Sequence, residues 1–159
     1  MVGVKFITLG TLKEAYLRDA AAEYEKRLGA FCKIQVVQLK EERISDNPSD
    51  GEIRQALEKE ALKIQAEISP RAYKIAMCVE GKQLSSEELA DKLSEISERY
   101  GDVCFIIGSS HGLAESVKSG ADMKLSVSKL TFPHQLMRVL LLEAVYRGFN
   151  IMKGTKYHK

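Results

Sequence analysis

The last seven residues, Lys153-Gly154-Thr155-Lys156-Tyr157-His158-Lys159, bring together side chains suited to acting on a polyanion. Lysine supplies affinity for phosphates. An aromatic ring can stack on an unpaired base, and imidazole is the usual general base near neutral pH. The same stretch also reads as a frayed, solvated tail. A second stretch able to do chemistry is Gly108-Ser109-Ser110-His111-Gly112, which follows the most apolar strand-like run of the chain. Glycine there permits close backbone approach to a ligand, although a plain turn needs glycine too. These five residues also fit G-x-S-x-G, with Ser110 as a nucleophile and Asp122 and either His134 or His158 following in the order of a hydrolase triad. Against that reading, 159 residues is short for such a hydrolase, and no second glycine-rich segment offers an oxyanion hole.

Charge points to the same end of the chain. Residues 1–102 carry 16 Lys+Arg against 19 Asp+Glu, whereas residues 103–159 carry 8 against 3. From Ala144 onward there are Arg147, Lys153, Lys156 and Lys159 but no acid. A basic end on an otherwise acidic chain suggests a polyanionic partner. The N-terminus has no basic region before its apolar run and no cleavage-site pattern after it, so it reads as a strand rather than a signal peptide. No apolar run approaches membrane-spanning length. Cys32, Cys78 and Cys104 are odd in number, lack metal-ligand spacing and each lie in an apolar run, which reads as buried, reduced thiols. A cytoplasmic protein is the expectation.

The elements that must position these residues alternate. Val4 to Leu9 has strand composition, Leu12 to Leu28 has helical spacing, and Phe31 to Leu39 is again strand-like. A polar loop at 45–50 offers a cap to a helix that ends near Ile68, before Ser69-Pro70. Tyr73 to Val79 is a third strand, and Ser85 or Ser86 caps a helix running to about Tyr100. Asp102 to Ile107 is apolar enough to be covered on both faces. A short helix, a fifth strand around Met123 to Val127 and a helix from Pro133 to about Arg147 complete the chain. Five strand–helix alternations without a linker predict one α/β domain over 1–159, with a mainly parallel sheet flanked by helices. Ligands in such sheets bind beyond the carboxyl ends of the strands. The last helix is apolar on nearly every face (Leu136, Met137, Val139 to Leu142, Ala144 and Val145), which predicts that a second subunit covers part of it. Glu143 and Arg147 are spaced to pair across one turn, and His134 and Arg138 share a stripe that is either a polar seam or part of a site.

Four segments carry a family resemblance: Phe105 to Leu113, Leu125 to His134, Arg138 to Arg147, and Tyr157-His158. In this order they resemble the ribosomal RNA large subunit methyltransferase H family of the SPOUT superfamily, over the whole chain. Ser109 and His111 stand where that family often has a second glycine and an acid or amide. The resemblance implies methyl transfer from S-adenosylmethionine to N3 of a pseudouridine in 23S ribosomal RNA, on the ribosome, by a homodimer with a C-terminal trefoil knot and no metal. It places the cofactor near Ala76 or Met77, Gly108, and Val127, Ser128, Lys129, Leu130, Thr131 and Phe132. It also makes His158 the candidate base, with Tyr157 and Arg147 beside it as catalytic residues. Arg138, Arg147, Lys153 and Lys156 become the expected RNA contacts. A composite site, with the tail of one subunit serving the partner's cofactor, belongs to the same expectation. The alternative of another class is an RNA-binding factor that keeps the fold without turnover.

Overall fold

A computed structural model describes all 159 residues. Five strands and five helices follow one another: β1 (Gly3–Leu9), α1 (Ala15–Leu28), β2 (Lys33–Leu39), α2 (Asp50–Glu67), β3 (Tyr73–Lys82), α3 (Ser86–Arg99), β4 (Asp102–Ile107), α4 (Glu115–Gly120), β5 (Met123–Leu125) and α5 (His134–Lys153). The strands form one sheet in the order β2-β1-β4-β3-β5, with every pairing parallel. Val103 to Ile107 of β4 are all buried, as an interior strand with both faces covered requires. Helices α1, α3 and α5 pack through Leu17, Leu93, Leu141 and Phe149 on one face of the sheet. Helices α2 and α4 pack through Ile64 and Val117 on the other. No helix is long and apolar enough to cross a membrane.

Local chemistry explains the boundaries. Ser49 with Glu52 and Ser85 with Glu88 form reciprocal capping boxes that open α2 and α3. Helix α1 starts later than its apolar spacing suggests, at Ala15, because the Arg18 side chain holds the carbonyls of Leu12 and Lys13 in the preceding loop. Strand β2 likewise starts at Lys33, since the N–H groups of Phe31 and Cys32 turn back to the Leu28 carbonyl. Strand β5 is shorter than expected and stops at Leu125, after which Ser126 Oγ donates to the Ser128 carbonyl (2.9 Å) and opens a loop. Helix α5 continues past Arg147 to Lys153 and ends at Gly154, whose φ of 69° forms a left-handed cap. Gly148 does not stop this helix. It is buried where α5 crosses α3, and a Cβ there would meet Leu93 Cδ1 at 2.9 Å.

Two glycines mark places where the chain passes close to itself. Strand β3 bulges between Met77 and Lys82, so that both pair with Leu125. Within the bulge, a Cβ on Gly81 would lie 2.6 Å from the Leu125 carbonyl carbon. We predict that Gly81→Ala lowers stability by about 1–3 kcal/mol, because backbone cannot yield as a side chain can. Gly148→Ala should cost less, since only the flexible tip of Leu93 must move. Urea denaturation of both variants checks the ranking, and equal midpoints would contradict it.

Glu60 on α2 is a buried carboxyl, 4% exposed, whose Oε2 accepts from the Glu42 N–H at 2.9 Å. Burial pushes its pKa up. A carboxyl with a raised folded-state pKa binds more protons in the folded than in the unfolded chain, so its share of stability falls as pH rises through that interval. Glu60→Gln keeps an acceptor and removes the titration. The variant is expected to lose less stability than the wild type between pH 5 and pH 7, and an unchanged pH slope would refute the assignment.

Candidate active site at the carboxyl edge of the sheet

Adjacent strands that send the chain to opposite faces leave a crevice at their carboxyl ends. Strand β3 leads to α3 on one face and β4 leads to α4 on the other. At their ends lies a cavity of about 740 Å³. This falls in the range of small-molecule sites, which runs from roughly 300 to 1,000 Å³. Its floor is Met77 and Ile107, one wall is the glycine loop Gly108–Gly112, and the opposite wall is the loop that follows Leu125. Pro133, His134 and Met137 at the start of α5 close the far side.

The glycine loop folds back on itself: Gly112 N–H donates to the Ser109 carbonyl at 2.9 Å, and a Cβ on Gly108 would run into the Gly112 carbonyl oxygen. Backbone is thereby presented at the cavity wall with no side chain at Gly108. In the facing loop, Leu130 N–H donates to Ser128 Oγ at 3.0 Å. That bend leaves Leu130 70% exposed and Val127 37% exposed beside the cavity, apolar surface available to a ligand or a partner. At the rim, Lys118 Nζ lies 2.7 Å from Glu80 Oε1. Their hydrogen bond holds the Glu80 carboxyl below its ordinary pKa and the Lys118 ammonium above its own. Burial pushes the His134 pKa down, with Glu41 Oε1 3.6 Å away pulling it back up.

Most of the residues expected at a cofactor are brought together here: Met77, Gly108, Val127, Ser128, Leu130, Thr131 and Phe132 all line the cavity. Ala76 does not. It is fully buried among the residues packed against α2 and α4, because neighbouring residues of a strand face opposite sides. Lys129 is exposed and also outside the lining. Cys78, expected to be a buried thiol, is half-buried and lines the cavity instead, since it opens the β3 bulge. Cys32 and Cys104 are buried as expected, and burial pushes their thiols up to about 11 and about 12.

The basic tail forms a separate cluster at the other end of α5. Glu143 accepts from Arg147 Nε at 2.7 Å through Oε1 and from the Tyr157 hydroxyl at 2.6 Å through Oε2. The Arg147 guanidinium lies over the Tyr157 ring, 4.7 Å from its centroid. His158 Nδ1 is 3.2 Å from Arg147 Nη1, and His158 Nε2 is 2.8 Å from Glu87 Oε1. A guanidinium only donates, so Nδ1 carries the lone pair and Nε2–H donates to Glu87. The Glu143 carboxylate pushes the Tyr157 phenol up to about 12, which keeps it protonated near neutral pH. Sequence alone does not single out Glu143 or Glu87 as a partner of the tail; only the spacing of Glu143 and Arg147 gives a signal. Tyr157 and His158 do not line the cavity of their own chain.

Two expectations need correction. Arg138 is 5% exposed and its guanidinium donates to the carbonyls of Leu9 (2.9 Å) and Gly10 (2.6 Å), so it is not a surface cation for phosphates. Lys153 and Lys156, by contrast, are exposed. The hydrolase triad does not form either: Asp122 accepts from the Lys74 N–H, His134 faces Glu41, and Ser110 bonds to neither histidine. No cluster of three or more His, Cys, Asp or Glu has the arrangement to hold a metal.

Comparison with known proteins agrees with this geometry. The family described as "Predicted SPOUT methyltransferase" matches residues 2–158. A protein of Streptococcus equi subsp. zooepidemicus named ribosomal RNA large subunit methyltransferase H is 47% identical over 157 residues, covering 98% of this chain and 99% of its own. A protein of the same name from Leuconostoc mesenteroides is 47% identical over 159 residues, covering 99% and 100%. Among solved structures, a probable methylase family protein from Haemophilus influenzae Rd KW20 superposes with a TM-score of 0.54 at 14% identity, over 98% of this chain and 70% of that one, a likeness of fold alone. By these matches the chain belongs to the SPOUT methyltransferases, in the ribosomal RNA large subunit methyltransferase H family.

Proposed function

We propose that the protein transfers a methyl group from S-adenosylmethionine to N3 of a pseudouridine in 23S ribosomal RNA, on the ribosome, as a cytoplasmic homodimer. The observation that carries this reading is the cavity at the ends of β3 and β4, in a chain of this family. Its size suits a nucleoside-bearing ligand. Its walls suit one as well: backbone at Gly108 with no room for a Cβ, and apolar side chains at Leu130 and Phe132. Met77, Gly108 and the 127–132 loop would hold the cofactor, whose sulfonium supplies an electrophilic methyl. The knot belongs to the same reading and rests on the family match over residues 2–158.

The protein must orient the nucleophile and take its proton. An imide N3–H is a poor nucleophile until that proton leaves. The tail is equipped for both roles. Tyr157 offers a ring and a hydroxyl fixed by Glu143, and Arg147, Lys153 and Lys156 offer positive charge for phosphates. In His158, Nδ1 holds the free electron pair and Arg147 now occupies it. A substrate N3–H taking that place would pass its proton to Nδ1, and Glu87 at Nε2 would share the resulting charge. The tail leaves its own cavity untouched, which supports a composite site with each tail serving the partner subunit's cavity.

Calorimetric titration with S-adenosylmethionine is expected to show about one site per subunit, and Gly108→Arg is expected to abolish it. Absence of binding by folded wild-type protein would overturn the cofactor assignment. A tail-deleted subunit mixed with Gly108→Arg should regain methylation of ribosomes that neither shows alone, and failure to complement would overturn the composite site. His158→Ala should lower the methylation rate by roughly 10²- to 10⁴-fold, the range for loss of a general base. A normal rate across pH 6 to 9 would exclude that role.

A further inference from the structure

The sheet parts at other neighbouring strands as well. Strand β1 leads to α1 and β2 leads to α2, on opposite faces, so a crevice is expected at their carboxyl ends too. Arg138 of α5 sits there. Its guanidinium donates to the Leu9 and Gly10 carbonyls at 2.9 and 2.6 Å and lies 3.4 Å from Gln38 Oε1 at the end of β2. No carboxylate forms a salt bridge with it, and its Nε has no hydrogen-bond partner in the protein. A buried cation whose hydrogen bonds all go to neutral acceptors is expensive relative to an apolar side chain, even with the Glu41 carboxylate acting on it. What the arrangement secures is geometry: a fixed link between α5 and the ends of β1 and β2. Gln135 strengthens the link, its Oε1 accepting from the Lys13 N–H at 3.0 Å. His134 and Met137, on either side of Gln135 in the same turn, line the cofactor cavity, and the 126–133 loop runs directly into this turn.

We propose that Arg138 is a positioning residue for the methyl-transfer site: it bridges the carboxyl ends of β1 and β2 and anchors the first turn of α5, which fixes the loop that walls the cavity. The proposal rests on the cofactor reading above. It predicts a local effect on that wall, with no direct contact between Arg138 and RNA.

The test uses the full-length protein with Arg138→Met and the conservative Arg138→Lys. Amide exchange of the ligand-free protein should be roughly tenfold faster across residues 128–137 in Arg138→Met, with β4 and α3 protected as in the wild type. This is the size expected for losing charged hydrogen bonds. S-adenosylmethionine should bind roughly tenfold more weakly, and the salt dependence of RNA binding should not change. Arg138→Lys, whose ammonium can reach a carbonyl but not all three acceptors, should fall between, and it carries the test alone if Arg138→Met does not fold. Unchanged protection of 128–137, or loss of protection throughout the chain, overturns the proposal; the second result would mean a merely structural role. A shallower salt slope would return Arg138 to the RNA contacts and also overturn it. Should the wild type fail to bind S-adenosylmethionine, the enzymatic reading falls, while the exchange data still decide whether Arg138 anchors the loop.

Discussion

Strand β4 lies between β1 and β3 with both faces covered, and the layout of the site follows from where its two neighbours send the chain. A strand hydrogen-bonded on both sides and apolar on both faces cannot shift register without exposing Val103 to Ile107, so its carboxyl end is a fixed point. Both neighbours lead to helices on the face opposite to α4, which opens the sheet on either side of Ile107. The opening on the β3 side remains as the cavity, while the buried guanidinium of Arg138 ties the end of β1 to that of β2 on the far side. Alternation of faces along the sheet thus accompanies both a structural joint and a cavity.

Polarity is divided in the same way. The cavity is lined by a mix of apolar side chains, glycine backbone and uncharged polar groups such as Ser128 and Thr131, with Glu80 and Lys118 paired at its rim. The charges able to meet RNA lie on the tail, organised by Glu143, which accepts from Arg147 and Tyr157 at once. The cavity and the basic tail are therefore different parts of the chain.

Much of this was legible in the sequence because it rests on local pattern. The apolar run of β4, the helical stripe of α1 and the serine caps of α2 and α3 each declare themselves within a few residues. What was not legible depends on depth or on distant contact. Arg138 sits near a basic terminus and looks like another phosphate contact; only the fold reveals that it points at the ends of β1 and β2. Ala76 and Met77 could not be told apart until the sheet fixed which face each occupies. The helical pattern gives out near Arg147, yet α5 runs on through Gly148, whose missing side chain lets α3 approach α5. Glu87 and His158 are 71 residues apart, and no spacing rule joins them.

Helix α5 holds the cavity wall at its first turn and the tail at its last, and it is 20 residues long. At about 1.5 Å and about 100° per residue, that is a rod of roughly 30 Å whose two ends have a set angular phase. One residue added or removed in its middle would leave the helix intact and its core face adjustable, yet would turn the tail by more than a quarter circle relative to the wall. The length of α5 is accordingly a gauge: it sets the direction in which the tail leaves with respect to the cavity wall, and it leaves the chain far less freedom for insertion there than in an ordinary surface helix of the same stability.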